Sequence, residues 1–504
     1  MKPTPPAVKP GLARVMGPLT AAAVVVGTVI GSGVFKKPAV VAENVPFPGL
    51  ALLSWVTVGA FVALGALAYA EVAVLYPRAG GNYVFLRETY GRLAGFLWGW
   101  VEFWIIRAAS IAALATIFTE SLNDLLHQAN GAALHFWTQR AVTVAAILAL
   151  ALVNVRGVRW GGSLQVLVTV VKVGSLLAIL ALPFVVALLA GPDVPRPQPD
   201  HLRPALPDGW GGLPVVGLGA AFLGVYWAYH GWMNVAPVAE EVRRPQRNIP
   251  LALLAGVGTV IFLYVGANVA YYLILPGPEM ATMKDTPVAT AFSLRLLGPL
   301  GAAAASAAVM CSVFGALNGN LLVGPRLLYA MGDDGLAPRA LHAVHPRYHT
   351  PAVATLVLAT WSCLLVVGVA VLTGTGLLDA NVSHFDLLTD FAMFGSLTFE
   401  TLAVLSIFVF RFRRPDAERP YRCPGYPVTP LLYLLLPVFV LSMMAVKQTI
   451  QVLVGVEFIL LGALAYFLLG LNRTRPHDRL STDERRFPQM KTDAPPAAGD
   501  QVRL

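Results

Sequence analysis

Twelve stretches of largely apolar residues, most of them twenty or longer, recur along the 504-residue chain. They lie near 16–42, 48–75, 95–122, 137–154, 163–190, 213–239, 249–275, 298–323, 351–373, 384–410, 429–447 and 450–471. A helix needs roughly 20 such residues to cross the hydrocarbon core of a bilayer. Membrane-spanning strands would instead alternate polar and apolar residues over about ten positions, and no such pattern occurs. The chain therefore reads as an all-α membrane protein with twelve transmembrane helices, each closing its own backbone hydrogen bonds. Composition agrees, because only 12% of residues are Asp, Glu, Lys or Arg, about half the roughly 25% that clothes a soluble domain. The first run continues past Gly33 without a small-residue cleavage pattern, so it is expected to stay in the membrane and not be removed as a signal peptide.

Lys and Arg resist translocation and gather in cytoplasmic loops. With the N-terminus inside, the loops on its side hold 16 Lys and Arg residues and the opposite loops 6, and the tails add 3 and 7 on the favoured side. Both termini are thus expected to be cytoplasmic, in a cell (inner) membrane. The net charge of +9 follows from this topology and from anionic headgroups, and implies no nucleic-acid partner. Cys311, Cys363 and Cys423 show no paired spacing and indicate neither a disulfide framework nor a metal site. No cofactor is implied.

The organisation is one membrane domain, residues 13–472, between polar tails at 1–12 and 473–504 that are expected to be disordered. The proline-crowded stretch from Gly191 to Pro214 reads as a stiff outer loop between a first half, 13–190, and a second, 213–410, followed by two extra helices at 429–471. Two spans are interrupted. The first carries Gly27-Thr28-Val29-Ile30-Gly31-Ser32-Gly33-Val34-Phe35, where clustered glycine lowers the cost of leaving helical geometry. The sixth carries Trp227-Ala228-Tyr229-His230-Gly231-Trp232, with Pro237 beyond. These are matching members of two five-helix halves, and broken helices in corresponding positions point to a transporter's central site. A break frees amides at the start of one half-helix and carbonyls at the end of the other. The amides suit a carboxylate and the carbonyls an ammonium or sodium ion, so a zwitterionic amino acid fits both. Small residues also let helices pack closely without any ligand; the pairing of the two breaks favours binding.

Gly27 to Phe35, Trp227 to Trp232 with Glu240 through Pro250, and Phe314-Gly315-Ala316-Leu317-Asn318-Gly319-Asn320 resemble the L-type amino acid transporter family. That family belongs to the amino acid/polyamine/organocation superfamily. Ile105-Ile106-Arg107, Lys172 and Arg414-Pro415 through Arg419-Pro420 resemble it too, and the likeness spans roughly residues 14–470. The resemblance implies a leucine-transporter-type fold, a 5+5 inverted repeat plus two extra helices. It implies that amides of Gly31, Ser32 and Gly33, with Val34 beside them, hold the substrate carboxylate, and that carbonyls of Val29, Trp227 and His230 hold its amino group. Ser110, Leu114 and Phe394 match the side-chain pocket, and Trp227 the aromatic gate. Relatives linked to a single-span heavy chain use an outer-loop cysteine that residues 123–140 lack, so no disulfide-linked heavy chain is expected and the chain is read as a monomer.

Charges at membrane depth are costly and must face protein or water. Lys172 is read as an ammonium set against carbonyls freed at the first break, replacing sodium; the plain alternative pairs it with a carboxylate. Arg107 lies five residues after Glu102, a poor helical match for direct pairing, and is expected to contact another helix for structural reasons. His230 packs or hydrogen-bonds between helices, or relays protons. Lys36, Lys37 and Glu43 tune an entrance or snorkel to the interface. Glu240 to Arg247 forms a salt-bridged inner gate or a solvated loop.

No His, Asp, Glu or Cys cluster marks a membrane enzyme, and no polar ring marks a channel. The reading is a sodium-independent amino acid transporter, an exchanger or proton-coupled, that moves neutral L-amino acids by alternating access. A polyamine or cationic amino acid transporter of the same superfamily and a non-transporting amino acid sensor remain as alternatives. Neutral substrates are favoured because no carboxylate is evident in the pocket, although the facing of Glu102 and Glu400 is not legible from sequence.

Overall fold

The computed structural model describes residues 12–189, 195–209, 212–283, 286–375 and 384–472. Apart from Leu12, both expected tails lie outside these residues. Among them there is no sheet, only an isolated bridge between Met16 and Val242, and eleven helices are long and apolar enough to cross a membrane.

The first span is two helices, α1 (Pro18–Val29) and α2 (Gly33–Asn44), separated by Ile30 in an extended conformation, φ −72°, ψ 90°. Next come α3 (Pro48–Leu75) and the short α4 (Asn82–Tyr90). The third span is α5 (Arg92–Val101) and α6 (Ala108–Asn130), joined through a π-helical turn at Glu102–Arg107. Two more spans follow, α7 (Phe136–Val155) and α8 (Val158–Leu189).

The sixth span is where the count departs from twelve. Its regular part, α9 (Val215–Tyr229), has only 15 residues before the chain turns through Gly231, φ 101°, into 3-10 turns at Trp232–Val235 and Ala239–Glu241. The break that marks the segment also makes it too short to qualify as a spanning helix. The chain continues as α10 (Pro245–Ile274), the single turn α11 (Gly277–Ala281), α12 (Val288–Val323) and α13 (Pro325–Asp333). The run 288–323 is divided at Gly298 (φ 65°, ψ −156°), whose non-helical backbone separates a short leading helix from the long one that begins at Pro299, in agreement with the span expected near 298. The last four are α14 (Ala352–Gly374), α15 (His384–Arg413), α16 (Val428–Lys447) and α17 (Thr449–Leu468).

Burial separates centre from rim. Nearly every residue of α1 from Ala21 to Val29 is buried, as befits a helix that is apolar all round, and it packs against α8 and α10. By contrast α17 buries only Gly462 and Tyr466 and turns Ile450, Leu460 and Leu468 outward, a lipid-facing surface. The proline-rich stretch between α8 and α9 lies across the ends of α3 and α10: the Gln198 amide donates to Leu273 O at 2.7 Å and the Leu50 amide to Ala205 O at 3.0 Å.

Candidate substrate site

Where α1 ends, its carbonyls are taken up by side chains from three other helices. Lys172 Nζ, on the buried face of α8, donates to Gly27 O at 2.7 Å and Ile30 O at 2.6 Å. Ser312 Oγ of α12 donates to Ile30 O and Gly31 O at 3.2 and 3.0 Å. Tyr264 of α10 donates to Val29 O at 2.9 Å and also lies 3.0 Å from Ala228 O of the sixth span. Gln165, Thr169 and Lys172 fall at helical spacing on α8, and all three reach α1 carbonyls. Polar residues at that period in an apolar run were a legible signal, of which the sequence reading used only the lysine. Nothing in the sequence of α10 marked Tyr264.

On the other side of the gap, the amides of Gly31, Ser32, Gly33 and Val34 find no acceptor among the described residues. They are the orphan donors that open any helix, here at the N-terminus of α2 with its favourable dipole for an anion.

The two breaks touch. A Cβ on Gly33 would fall 2.6 Å from Ala228 Cα, so the approach requires glycine. Thr28 Oγ1 lies 3.1 Å from Gly231 O. In the sixth span the loosened backbone is satisfied locally, His230 N to Trp227 O at 3.1 Å and Asn234 N to Gly231 O at 3.0 Å. Gly231, left-handed at φ 101°, makes the turn that a side chain would strain.

A small cavity lies between the breaks. Of the residues singled out in the sequence, Val29, Gly31, Ser32, Gly33, Ser110, Leu114, Trp227 and His230 line it, with Asn234, Ala316 and Asn320. The Ser110 hydroxyl is buried without a hydrogen-bond partner among the described residues. Two expected residues are elsewhere. Val34 is fully buried and does not line the cavity. Phe394 does not line the cavity, because its ring packs against Gly455 of α17.

Arg107 corrects the sequence reading in part. It does bond another pair of elements, Asn320 Oδ1 at 2.6 Å and Asn234 Oδ1 at 3.1 Å, yet its Nε also donates to Glu102 at 2.8 Å. In an α-helix positions five apart lie about 140° apart around the axis. The π turn at Glu102–Arg107 widens the helix so that i and i+5 meet. Arg107 and Glu102 also line a second cavity, together with Asn82, Trp98, Asn234 and Glu400. Glu400, whose facing the sequence left open, is buried against the sixth span. Its Oε1 lies 3.1 Å from His230 Nε2 and 2.9 Å from Ser396 Oγ, while Tyr226 OH donates to Oε2 at 3.0 Å.

Beyond the second break, Glu241 meets Arg326 of α13 through two bonds of 2.7 and 3.2 Å, with both side chains almost wholly buried. Met16, just before α1, exchanges backbone bonds with Glu241 and Arg243, so the stretch expected as gate or loop is a closed contact. Glu240 accepts from the Ala79 amide at 3.1 Å. Burial pushes its carboxyl pKa up, and neighbouring Glu241 adds to the rise. Lys36 pairs with Glu120 at 3.7 Å, and Cys311, Cys363 and Cys423 are free thiols.

Comparison with known proteins matches residues 16–468 to the family model described as amino acid permease. The chain is 30% identical over 459 residues to the serine/threonine exchanger SteT of Bacillus subtilis, covering 91% of this chain and 97% of that protein. It is 30% identical to the human b(0,+)-type amino acid transporter 1, over 91% of this chain and 88% of the relative. To the mouse Asc-type amino acid transporter 1 it is 31% identical, over 92% and 83%.

Proposed function

The chain belongs to the amino acid permease family, and from that premise we propose that it is a sodium-independent carrier of neutral L-amino acids working by alternating access. The observation that carries this is the contact between the two breaks around one cavity. Unpaired amides of Gly31 to Val34 face the α-carboxylate, and the carbonyls of Val29, Trp227 and His230 the α-ammonium. Trp227 closes over the substrate, and Ser110 and Leu114 meet its side chain. Sodium independence follows from Lys172, whose ammonium takes the carbonyls of Gly27 and Ile30 that a sodium ion would otherwise need.

Neutral substrates fit because the carboxylates near the cavity are already occupied, Glu102 by Arg107 and Glu400 by His230, Ser396 and Tyr226. The relatives' names include a serine/threonine exchanger, which favours small neutral side chains. In this reading residues 13–190 and 213–410 are inverted repeats and 429–471 two added helices. The chain works as a monomer without a disulfide-linked heavy chain, in a cell membrane with both ends cytoplasmic and the Glu241–Arg326 pair as the inner gate. Substrate shifts the inward–outward equilibrium only through unequal affinity for the two forms.

The test is uptake of radiolabelled L-alanine, L-serine, L-threonine and L-leucine by the purified protein in liposomes, with and without internal amino acid and sodium. Flux without sodium is the expected result, and binding without flux identifies a sensor. Ser32→Pro removes one carboxylate-facing amide and is expected to abolish uptake while the protein still inserts; normal uptake refutes the assigned site.

A further inference from the structure

His230 and Glu400 form a buried pair that the substrate site as described does not use. We propose that this pair is the proton-binding site that couples net amino acid uptake to a proton gradient, an inference that rests on the carrier reading above. Three observations carry it. First, the two residues line neighbouring cavities: His230 lines the cavity between the breaks and Glu400 the second cavity, with Asn234 lining both. A proton held between them is within reach of either space when that space opens to water. Second, His230 sits at the hinge itself, the residue that ends α9 just before left-handed Gly231, so movement of the sixth span alters its distance from Glu400 on α15. Third, the pair is nearly dry, with 14% and 6% of the two side chains exposed, and an unneutralised charge there is costly.

The groups facing the pair are Tyr226 of α9 at 3.0 Å, Tyr69 of α3 and Tyr433 of α16 within electrostatic reach of Glu400, and Glu102 with Arg107, whose charges offset each other. Lys172 is engaged by α1 carbonyls, and Glu71 pairs with Arg411 about three turns along α15. With neutral imidazole and ionised carboxylate the pair carries one negative charge. One proton from the aqueous phase on the loading side brings it to zero, and the same proton leaves to the opposite phase after the cavities exchange access. Ser396 Oγ, 2.8 Å from His230 Nε2 and 2.9 Å from Glu400 Oε1, holds both groups in register.

The experiment uses the full chain in liposomes loaded with a pH-sensitive dye, with the four amino acids named above as probes. Counterflow at equal pH measures exchange, and uptake into empty vesicles with the outside more acidic measures coupling. The wild type is expected to accumulate amino acid up to about tenfold per pH unit for one proton per substrate and to acidify the lumen as it does so. Glu400→Gln is expected to keep counterflow and lose both the gradient effect and the acidification. Counterflow without any gradient effect in the wild type overturns this proposal and leaves the carrier standing; absence of both overturns the carrier and this proposal with it. Gradient-driven uptake retained by Glu400→Gln also overturns it. A second measurement is independent of transport. The Trp227 ring lies parallel to the His230 ring at 5.9 Å, and an imidazolium there quenches indole emission. The emission difference between wild type and Trp227→Phe is expected to change with pH and to be flat in His230→Gln; a flat wild type overturns the proposal.

Discussion

The two broken spans solve the same backbone problem in opposite ways. At the first, the loosened carbonyls of Gly27, Val29, Ile30 and Gly31 are held by side chains that come from elsewhere, Lys172, Tyr264 and Ser312. At the second, most of the loosened groups are satisfied within a few residues, by left-handed Gly231 and successive 3-10 turns. Each break is also met by one ionisable side chain from the fourth span after it, Lys172 of α8 for the first and Glu400 of α15 for the second. The lysine docks on fixed carbonyl dipoles; the glutamate docks on another titratable side chain. The first break therefore exists only while its neighbours stay packed against it, whereas the second carries much of its geometry in its own sequence.

Lys172→Ala is the strongest way to break this contrast. It strips a charged donor from two buried carbonyls, each such bond contributing about 1.5–3 kcal/mol, and is expected to cut liposomal uptake at least about tenfold with a lowered Tm. An unaltered cycle would mean that the first break stands without help. Gly33→Ala and Gly231→Ala form a matched pair read by thermal unfolding. The first drives a Cβ into Ala228 and is expected to cost about 1–3 kcal/mol by overpacking. The second forces a side chain to φ 101° and is expected to cost about 1–2 kcal/mol locally. If Gly231→Ala leaves Tm unchanged, the local account of the second break is wrong.

Tyr264→Phe sharpens the comparison, because one hydroxyl serves both breaks. Loss of its contacts with Val29 O and Ala228 O is expected to cost about 1 kcal/mol per bond and to weaken substrate affinity measured by counterflow; unchanged affinity would separate the two breaks functionally. Ser312→Ala is expected to have the smallest effect, about 0.5–1.5 kcal/mol of stability read by thermal unfolding, since Ile30 O keeps its bond from Lys172. A loss as large as that of Lys172→Ala would reverse the assigned ranking of donors.

Much of the frame was legible in the chain. Apolar runs located the spans because bilayer thickness fixes their length, and clustered glycine located the first break because glycine leaves helical geometry most cheaply. Eight of the expected site residues, from Val29 to His230, line one cavity; six of them sit on the broken segments themselves, and Ser110 and Leu114 come from α6. The misses share a cause. Phe394 lies far along the chain, and its packing toward Gly455 of α17 depends on how α15 is turned about its axis against its neighbours, which local sequence does not set. Glu102 and Arg107 were judged by α-helical spacing, which a π turn suspends.

By itself, then, the sequence determined an all-helical membrane chain, the positions of its interruptions and the polar backbone they expose, because these depend on local propensity and on the solvent that surrounds each segment. Tertiary structure alone decided that Tyr264 bridges the two breaks, that Glu400 closes on His230 and that Arg107 spans Glu102, Asn234 and Asn320. These are contacts between residues up to hundreds of positions apart, and they arise because buried polar groups in a medium without water must find their partners wherever packing brings them.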